Sequence, residues 1–300
     1  MYPILFTIPG IGWPISSFGA MMALGFLVGY WIALPRMREE GLDPEDAANL
    51  LMVIMLGGVF GAKLYYAVSF YLIYGDPFWQ SMLSRGGLVF YGGLIGGGLA
   101  GILGCRHWKI PIAPFANAAC ISLAVGQALG RVGCFLVGDD YGVASDLPWA
   151  IAFPNGLPPV DYPVHPTMLY ETFWLSIVAI VLWRRRRVSS SLMGEYLLLN
   201  GIGRTFIEHW RLNERVALGL SEAQLIGLAL FVAGASGWLY FRRGMAEASE
   251  AALVAALHLS CLTESHLASV AALAALHLSC RSTSPLPAAA GDGSTSLNLT

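Results

Sequence analysis

Apolar stretches long enough to cross a bilayer recur along this chain, and that repetition constrains its fold more than any motif does. A helical span needs roughly 20 mostly apolar residues. Seven segments meet that length approximately: 11–34, 47–70, 87–104, 112–137, 164–183, 192–210 and 223–241. Backbone polar groups in lipid must be satisfied within the segment itself. The pattern therefore predicts an all-α, polytopic membrane protein with about seven transmembrane helices. Composition agrees: only 12% of residues are charged, against about 25% in soluble domains. The first segment follows no basic residue and exceeds the ~7–15 residues of a signal-peptide core, so it reads as a retained span. Lys63 interrupts the second segment, and Arg204 and Glu208 the sixth.

Charge placement gives an orientation. No charged residue occurs in positions 1–35. Basic residues follow the first span (Arg36, Arg38), the third (Arg106, Lys109), the fifth (Arg184, Arg185, Arg186, Arg187) and the seventh (Arg242, Arg243). The positive-inside rule makes those ends cytoplasmic, which puts the N-terminus outside and the C-terminus in the cytoplasm. The formal net charge of −2 gives no basis for a nucleic-acid partner. The cysteines (105, 120, 134, 261 and 280) form no CxxC or Cys/His spacing, so neither a metal nor a cofactor is expected.

With that orientation, the polar residues in or beside the spans gather toward the outer leaflet: Lys63, Arg85, Tyr91, Arg131, Glu171, Arg204, Glu208 and Arg211. No comparable cluster is expected at the inner leaflet. Charges at membrane depth cost several kcal/mol unless paired or hydrated, and by default they mark a functional site. Lys63 and Arg85 could instead snorkel to headgroups. Arg204, Glu208 and Arg211 fall at spacings of four and three, one face of a helix, where they can pair and still offer a guanidinium fork to a phosphate. The glycine-rich run 86–101 predicts close helix–helix contact, and open backbone around Tyr91. In GRVGCFLVGDDYG (130–142) the glycines predict a helix break near Arg131, with Asp139 and Asp140 at hand to balance its charge.

Taken as a set, five segments resemble the bacterial prolipoprotein diacylglyceryl transferase family over roughly residues 10–243. They are GAKLYY (61–66), LVFYGGLIGG (88–97), GRVGCFLVGDDYG, HPTMLYE (165–171) and GIGRTFIEHWR (201–211). The resemblance implies that Arg131 and Arg204 are the family's essential arginines. It puts Asp139 at the acidic position of the signature, Glu171 as the acid of the span-five motif and Glu208 as the acidic partner in span six. Several positions depart from the family pattern. Tyr91 stands for the histidine before Gly-Gly and Cys134 for an asparagine. Phe18 replaces a tyrosine, Asn117 an aspartate and Asn200 a tyrosine.

The implied reaction moves the diacylglyceryl group of phosphatidylglycerol onto the thiol of a lipobox cysteine in a preprolipoprotein, releasing glycerol phosphate. Arg131, Arg204, Glu208 and Tyr91 are then the catalytic candidates. The substrate-binding candidates are Arg131, Arg204, Asp139, Glu171, Lys63, Arg85 and Arg211. The arginines suit the phosphate and its developing charge, Glu208 would orient Arg204, and Tyr91 would hydrogen-bond the phosphate or act as a base. Cys134 has no adjacent histidine to activate it as a nucleophile. Implied partners are phosphatidylglycerol, signal peptides carrying the lipobox and membrane lipids. The implied place is the bacterial cytoplasmic membrane, with the site facing the periplasm. Two rivals are a paralogue with another acceptor and a lipid- or anion-binding membrane protein or transporter. Against a transporter, the sequence shows no related halves, and its charges gather at one face.

Domain organisation follows the composition: a membrane domain over 1–243 with a periplasmic loop at 138–165, then a low-complexity cytoplasmic tail over 244–300. Within the tail AALVAALHLSC (251–261) nearly recurs as AALAALHLSC (271–280). The tail is expected to be largely disordered.

Overall fold

A computed structural model describes residues 2–10, 12–84, 87–189 and 191–243. Arg85 and the whole 244–300 tail lie outside the described residues, as does the side chain of Tyr91. The chain is mostly helical. Among the described residues, five helices are long and apolar enough to cross a membrane: α1 (Ser17–Glu39), α2 (Pro44–Tyr74), α5 (Ile112–Val137), α6 (Thr167–Arg185) and α8 (Glu222–Arg243). This makes it a multi-pass membrane protein. Between them stand the short α3 (Phe78–Leu83), the glycine-dense α4 (Phe90–His107) and α7 (Leu192–Ile207). The 16 residues of α7 rise only about 24 Å, short of a ~30 Å hydrocarbon core.

The chain is not all helix. Three antiparallel hairpins cap or join the helices: β1 (Ile4–Ile8) with β2 (Trp13–Ser16), β3 (Ile151–Phe153) with β4 (Val160–Val164), and β5 (Arg215–Ala217) with β6 (Leu220–Ser221). The first hairpin explains why α1 begins at Ser17 and not near residue 11. Gly10 and Gly12 take φ of 90° and 67°, and the residue before Pro14 is pushed toward extended backbone. Ser16 then caps the helix, its hydroxyl accepting from the Gly19 N–H at 3.1 Å. Asp43 caps α2 in the same way, accepting from the N–H groups of Glu45 and Asp46 ahead of Pro44 at the first helical position.

Glycine faces set the packing. A Cβ on Gly61 would collide with the Gly92 carbonyl, so α2 and α4 meet backbone to backbone, as the 86–101 run predicts. The predicted helix break at Arg131 does not occur. Helix α5 runs unbroken through Gly130, Arg131 and Gly133 to Val137, and Gly138 ends it in the left-handed region at φ 76°. Gly133 serves contact, since a Cβ there would stand 3.1 Å from the Met21 Cβ and 3.3 Å from the Phe18 Cα of α1.

Outward faces carry large exposed apolar side chains such as Leu56, Phe60, Leu99 and Phe173, the arrangement a lipid solvent favours. Inside, Cys120, Ile121, Val178, Leu182 and Tyr196 join α5, α6 and α7. A second core of Cys134, Phe153, Val160, Val164 and Met168 locks the β3–β4 hairpin over the end of α5 and the start of α6. The opposite ends of the helices carry charge pairs of their own. Arg36, 2% exposed, pairs with Glu39 and, at 3.1 Å, with Glu40. Arg185 donates from Nε and Nη2 to Glu195, each at 2.7 Å. Each of these groups holds a single arginine on local carboxylates, unlike the convergence at the other end.

Candidate active site

Glu171 projects from the second turn of α6 into a cluster of three arginines drawn from different parts of the chain. Its Oε1 accepts from Arg204 Nη1 at 2.7 Å and from Arg211 Nη1 at 3.2 Å, while Oε2 pairs with Arg131 Nε. Arg131 comes from the last two turns of α5 and Arg204 from the last turn of α7. Arg211 follows the single 3₁₀ turn Glu208–Trp210.

Asp140 closes the ring. Its Oδ2 lies 2.7 Å from Arg131 Nη1 and its Oδ1 2.6 Å from Arg211 Nη2. The backbone achieves this by turning left-handed, with φ 61° at Asp140, and the Thr167 hydroxyl holds the Asp140 carbonyl at 2.7 Å. Glu208 is the third acid. Its Oε2 lies 3.6 Å from Arg204 Nη2 and 3.7 Å from Arg211 Nε. Its Oε1 accepts from Ser221 Oγ at 2.9 Å and Asn213 Nδ2 at 2.5 Å.

Exposure divides the cluster by task. Glu171, Glu208 and Arg211 are buried, whereas the Arg131 and Arg204 side chains are 24% and 25% exposed. Buried acids neutralise the inner side and leave two fixed guanidinium groups partly open, each able to give further N–H bonds to an anion. Burial works against ionised Asp140, but Arg211 and Arg131 outweigh it and hold its carboxyl below the ordinary aspartate value. Asp139 goes the other way: burial, then the neighbouring charge of Asp140, push its carboxyl up.

The sequence-predicted residues Arg131, Glu171, Arg204, Glu208 and Arg211 thus come together. Of the two aspartates at hand to balance Arg131, Asp140 pairs with it. Asp139 turns back on α5, its N–H bonded to the Cys134 carbonyl at 3.2 Å. Lys63 donates to the Ser84 carbonyl at 2.6 Å and hydroxyl at 2.9 Å, holding α2 to the segment after α3. Tyr91 begins α4. Cys134 Sγ, Asp139 and Asp140 bring ligand atoms within 4.8 Å of one another. Arg131 Nη1, 3.9 Å from that sulfur and 2.7 Å from Asp140, already puts a positive charge there, which disfavours a cation.

Other residues escaped sequence reasoning. His165, first in HPTMLYE, faces the Tyr170 hydroxyl at 3.1 Å, which also takes the Trp149 N–H at 2.8 Å. The His165 ring lies 6.1 Å from that of Trp210. Asn117 accepts from the Met193 N–H at 3.0 Å, at the start of α7. A cavity of about 590 Å³ opens between α7 and α8. Ile202, Phe206, Trp210, Leu228 and Phe231 line it, and His209 stands at its polar end.

The family model for prolipoprotein diacylglyceryl transferase matches residues 3–240. The chain belongs to that family. Its similarity extends to individual members named phosphatidylglycerol–prolipoprotein diacylglyceryl transferase. That of Clostridioides difficile (strain 630) is 32% identical over 80% of this chain and 95% of its own length. The Thermotoga maritima protein is 32% identical over 77% of this chain and 82% of its own. The Gloeobacter violaceus protein is 31% identical over 81% and 97%. The family match takes in every residue of the arginine–carboxylate cluster.

Proposed function

We propose that the protein transfers the diacylglyceryl group of phosphatidylglycerol to the lipobox cysteine of a preprolipoprotein, at the periplasmic face of the bacterial cytoplasmic membrane. A carbon–sulfur bond forms at the terminal glyceryl carbon, the carbon–oxygen bond to phosphate breaks, and glycerol phosphate leaves. The thiol proton passes to solvent or to the departing phosphate. One observation carries this reading: Arg131 and Arg204 stand half-open over carboxylates that are themselves buried. Such a site offers charge-assisted donors to a phosphate without having to be assembled at the moment of reaction. The same positive field favours the cysteine thiolate, whose free pKa is about 8.5. The mostly apolar cavity between α7 and α8 suits an acyl chain.

The remaining assignments follow. Tyr91 donates a hydrogen bond to the phosphate in place of the family histidine. Lys63, Arg85 and Asp139 are substrate-binding residues that meet headgroup or peptide. The chain crosses the membrane seven times, counting α4 and α7, with its N-terminus outside. The basic residues at the C-terminal ends of α1, α4, α6 and α8 support that orientation. The test is transfer of label from phosphatidylglycerol to a lipobox peptide by purified protein. Wild type should transfer and Arg131→Ala should not. Tyr91→Phe should slow turnover while remaining membrane-inserted. Absence of transfer by folded wild-type protein would sink the reading.

A further inference from the structure

One helical turn beneath the arginines, a second polar group spans the same two helices. Gln127 lies four residues before Arg131 on α5, and Asn200 four before Arg204 on α7. Asn200 Nδ2 donates to Gln127 Oε1 at 2.9 Å and to the Tyr196 hydroxyl at 3.0 Å. Tyr196 is buried and Asn200 half-buried, yet Gln127 is exposed. An exposed amide in the middle of a 26-residue span is costly if it faces lipid tails. Its place on the strip that carries Arg131 turns it toward the arginine side of α5. The Gln127 amide carries two hydrogens. The Tyr196 oxygen, within reach of that amide and already bonded to Asn200, takes at most one of them. The other donates to nothing among the described residues.

We propose that Gln127, held in place by Asn200, is a substrate-binding residue that donates a hydrogen bond to an ester carbonyl of the lipid donor. This rests on the reading of Arg131 and Arg204 as the phosphate site. Four residues of helix descend about 6 Å, and in a glycerophospholipid the acyl ester carbonyls lie a few bonds below the phosphate. A lipid with its phosphate on the arginines therefore brings an ester oxygen to the level of Gln127. A grip there would also fix the glyceryl carbon that the thiolate attacks. Asn200 supports this by occupying the Gln127 oxygen, which leaves the nitrogen directed at the ligand.

The prediction concerns chemical discrimination. A diether phosphatidylglycerol keeps the phosphate and the reacting carbon but lacks both ester carbonyls. Wild-type protein should show a KM for the diether roughly fivefold above that for the diester, the worth of one ordinary hydrogen bond. Gln127→Leu should raise the diester KM to the diether value and abolish the difference, with thermal stability little changed. Asn200→Leu, which frees the Gln127 side chain, should reduce the discrimination. A purely structural role for the pair would lower stability and leave the diester-to-diether ratio alone. Wild type that uses both lipids equally, or Gln127→Leu that keeps the ratio, overturns the proposal. Full transfer by Arg131→Ala would overturn the phosphate site as well, and so separates the failure of that reading from the failure of this one.

Discussion

Glu171 and Arg204 are bonded at 2.7 Å across α6 and α7, although 33 residues separate them in the chain. Through its two oxygens Glu171 also reaches Arg131 and Arg211, so one carboxylate sets the mutual positions of three cations. Removing one partner of a buried ion pair costs about 3–5 kcal/mol, less here because Arg131 and Arg204 retain some solvent. Glu171→Gln should therefore lower the unfolding temperature measurably in detergent and reduce transfer on the order of 100-fold. Turnover at the wild-type rate would show that the arginines hold their places without it.

Arg131 uses two of its nitrogens at once, Nε toward Glu171 and Nη1 toward Asp140. A lysine keeps the charge but is a single point donor and cannot bridge both acids. Arg131→Lys should cost roughly 100-fold in kcat, near the loss for one preorganised donor, while the protein stays folded. A steady-state assay that finds less than a few-fold loss would mean that charge alone suffices.

Asp139 and Asp140 are adjacent but opposite in behaviour, and substitution should separate them. Asp140 has its carboxyl held below the value of about 3.9 that it takes unfolded. The stability it contributes is fully present above that pH and is lost as pH falls through the lower folded value. Asp140→Asn should therefore be destabilised at neutral pH, lose part of its acid-limb dependence and transfer about tenfold more slowly. Asp139, with a raised folded value, carries the opposite sign: its ionisation opposes folding above about pH 4. Asp139→Asn should be as stable as wild type or more so at pH 7. Melting curves between pH 3 and pH 8 would decide both.

Much of this site was legible before any coordinates. Spacing placed Arg204, Glu208 and Arg211 on one surface, and they do converge, even though the helix stops at Ile207 and a 3₁₀ turn carries Glu208. The HPTMLYE segment marked Glu171, but nothing in its spacing says that the acid meets three arginines. The choice of Asp140 over Asp139 depends on a left-handed backbone at a non-glycine residue, which no periodicity reveals. Glycines misled at Gly130 and Gly133, where they read as breakers. In a bilayer an uninterrupted helix satisfies its own backbone, so Gly133 serves close contact with α1, while a Cβ on Gly130 would meet nothing within 4 Å. The hairpins are short and carry no alternation long enough to stand out from the apolar runs beside them. Gln127 was invisible for a different reason: a lone glutamine in a span acquires meaning only when its partner, 73 residues away, is known.

Orientation can be tested with two exposed positions on either side of α6. Tyr162 lies in the β3–β4 hairpin that precedes the helix, and Val188 in the turn after its basic end; they are 59% and 74% exposed. Cys105, Cys120 and Cys134 are buried, so replacing Cys261 and Cys280 with serine gives a quiet background. A membrane-impermeant thiol reagent applied to intact spheroplasts should label Tyr162→Cys at once. Val188→Cys should react only after permeabilisation, because four arginines in succession favour the cytoplasmic side for that end. The reverse pattern would put Arg131, Glu171 and Arg204 at the cytoplasmic face. There the cluster could not meet a signal peptide that has already crossed the membrane, and the proposed acceptor would fall with the orientation.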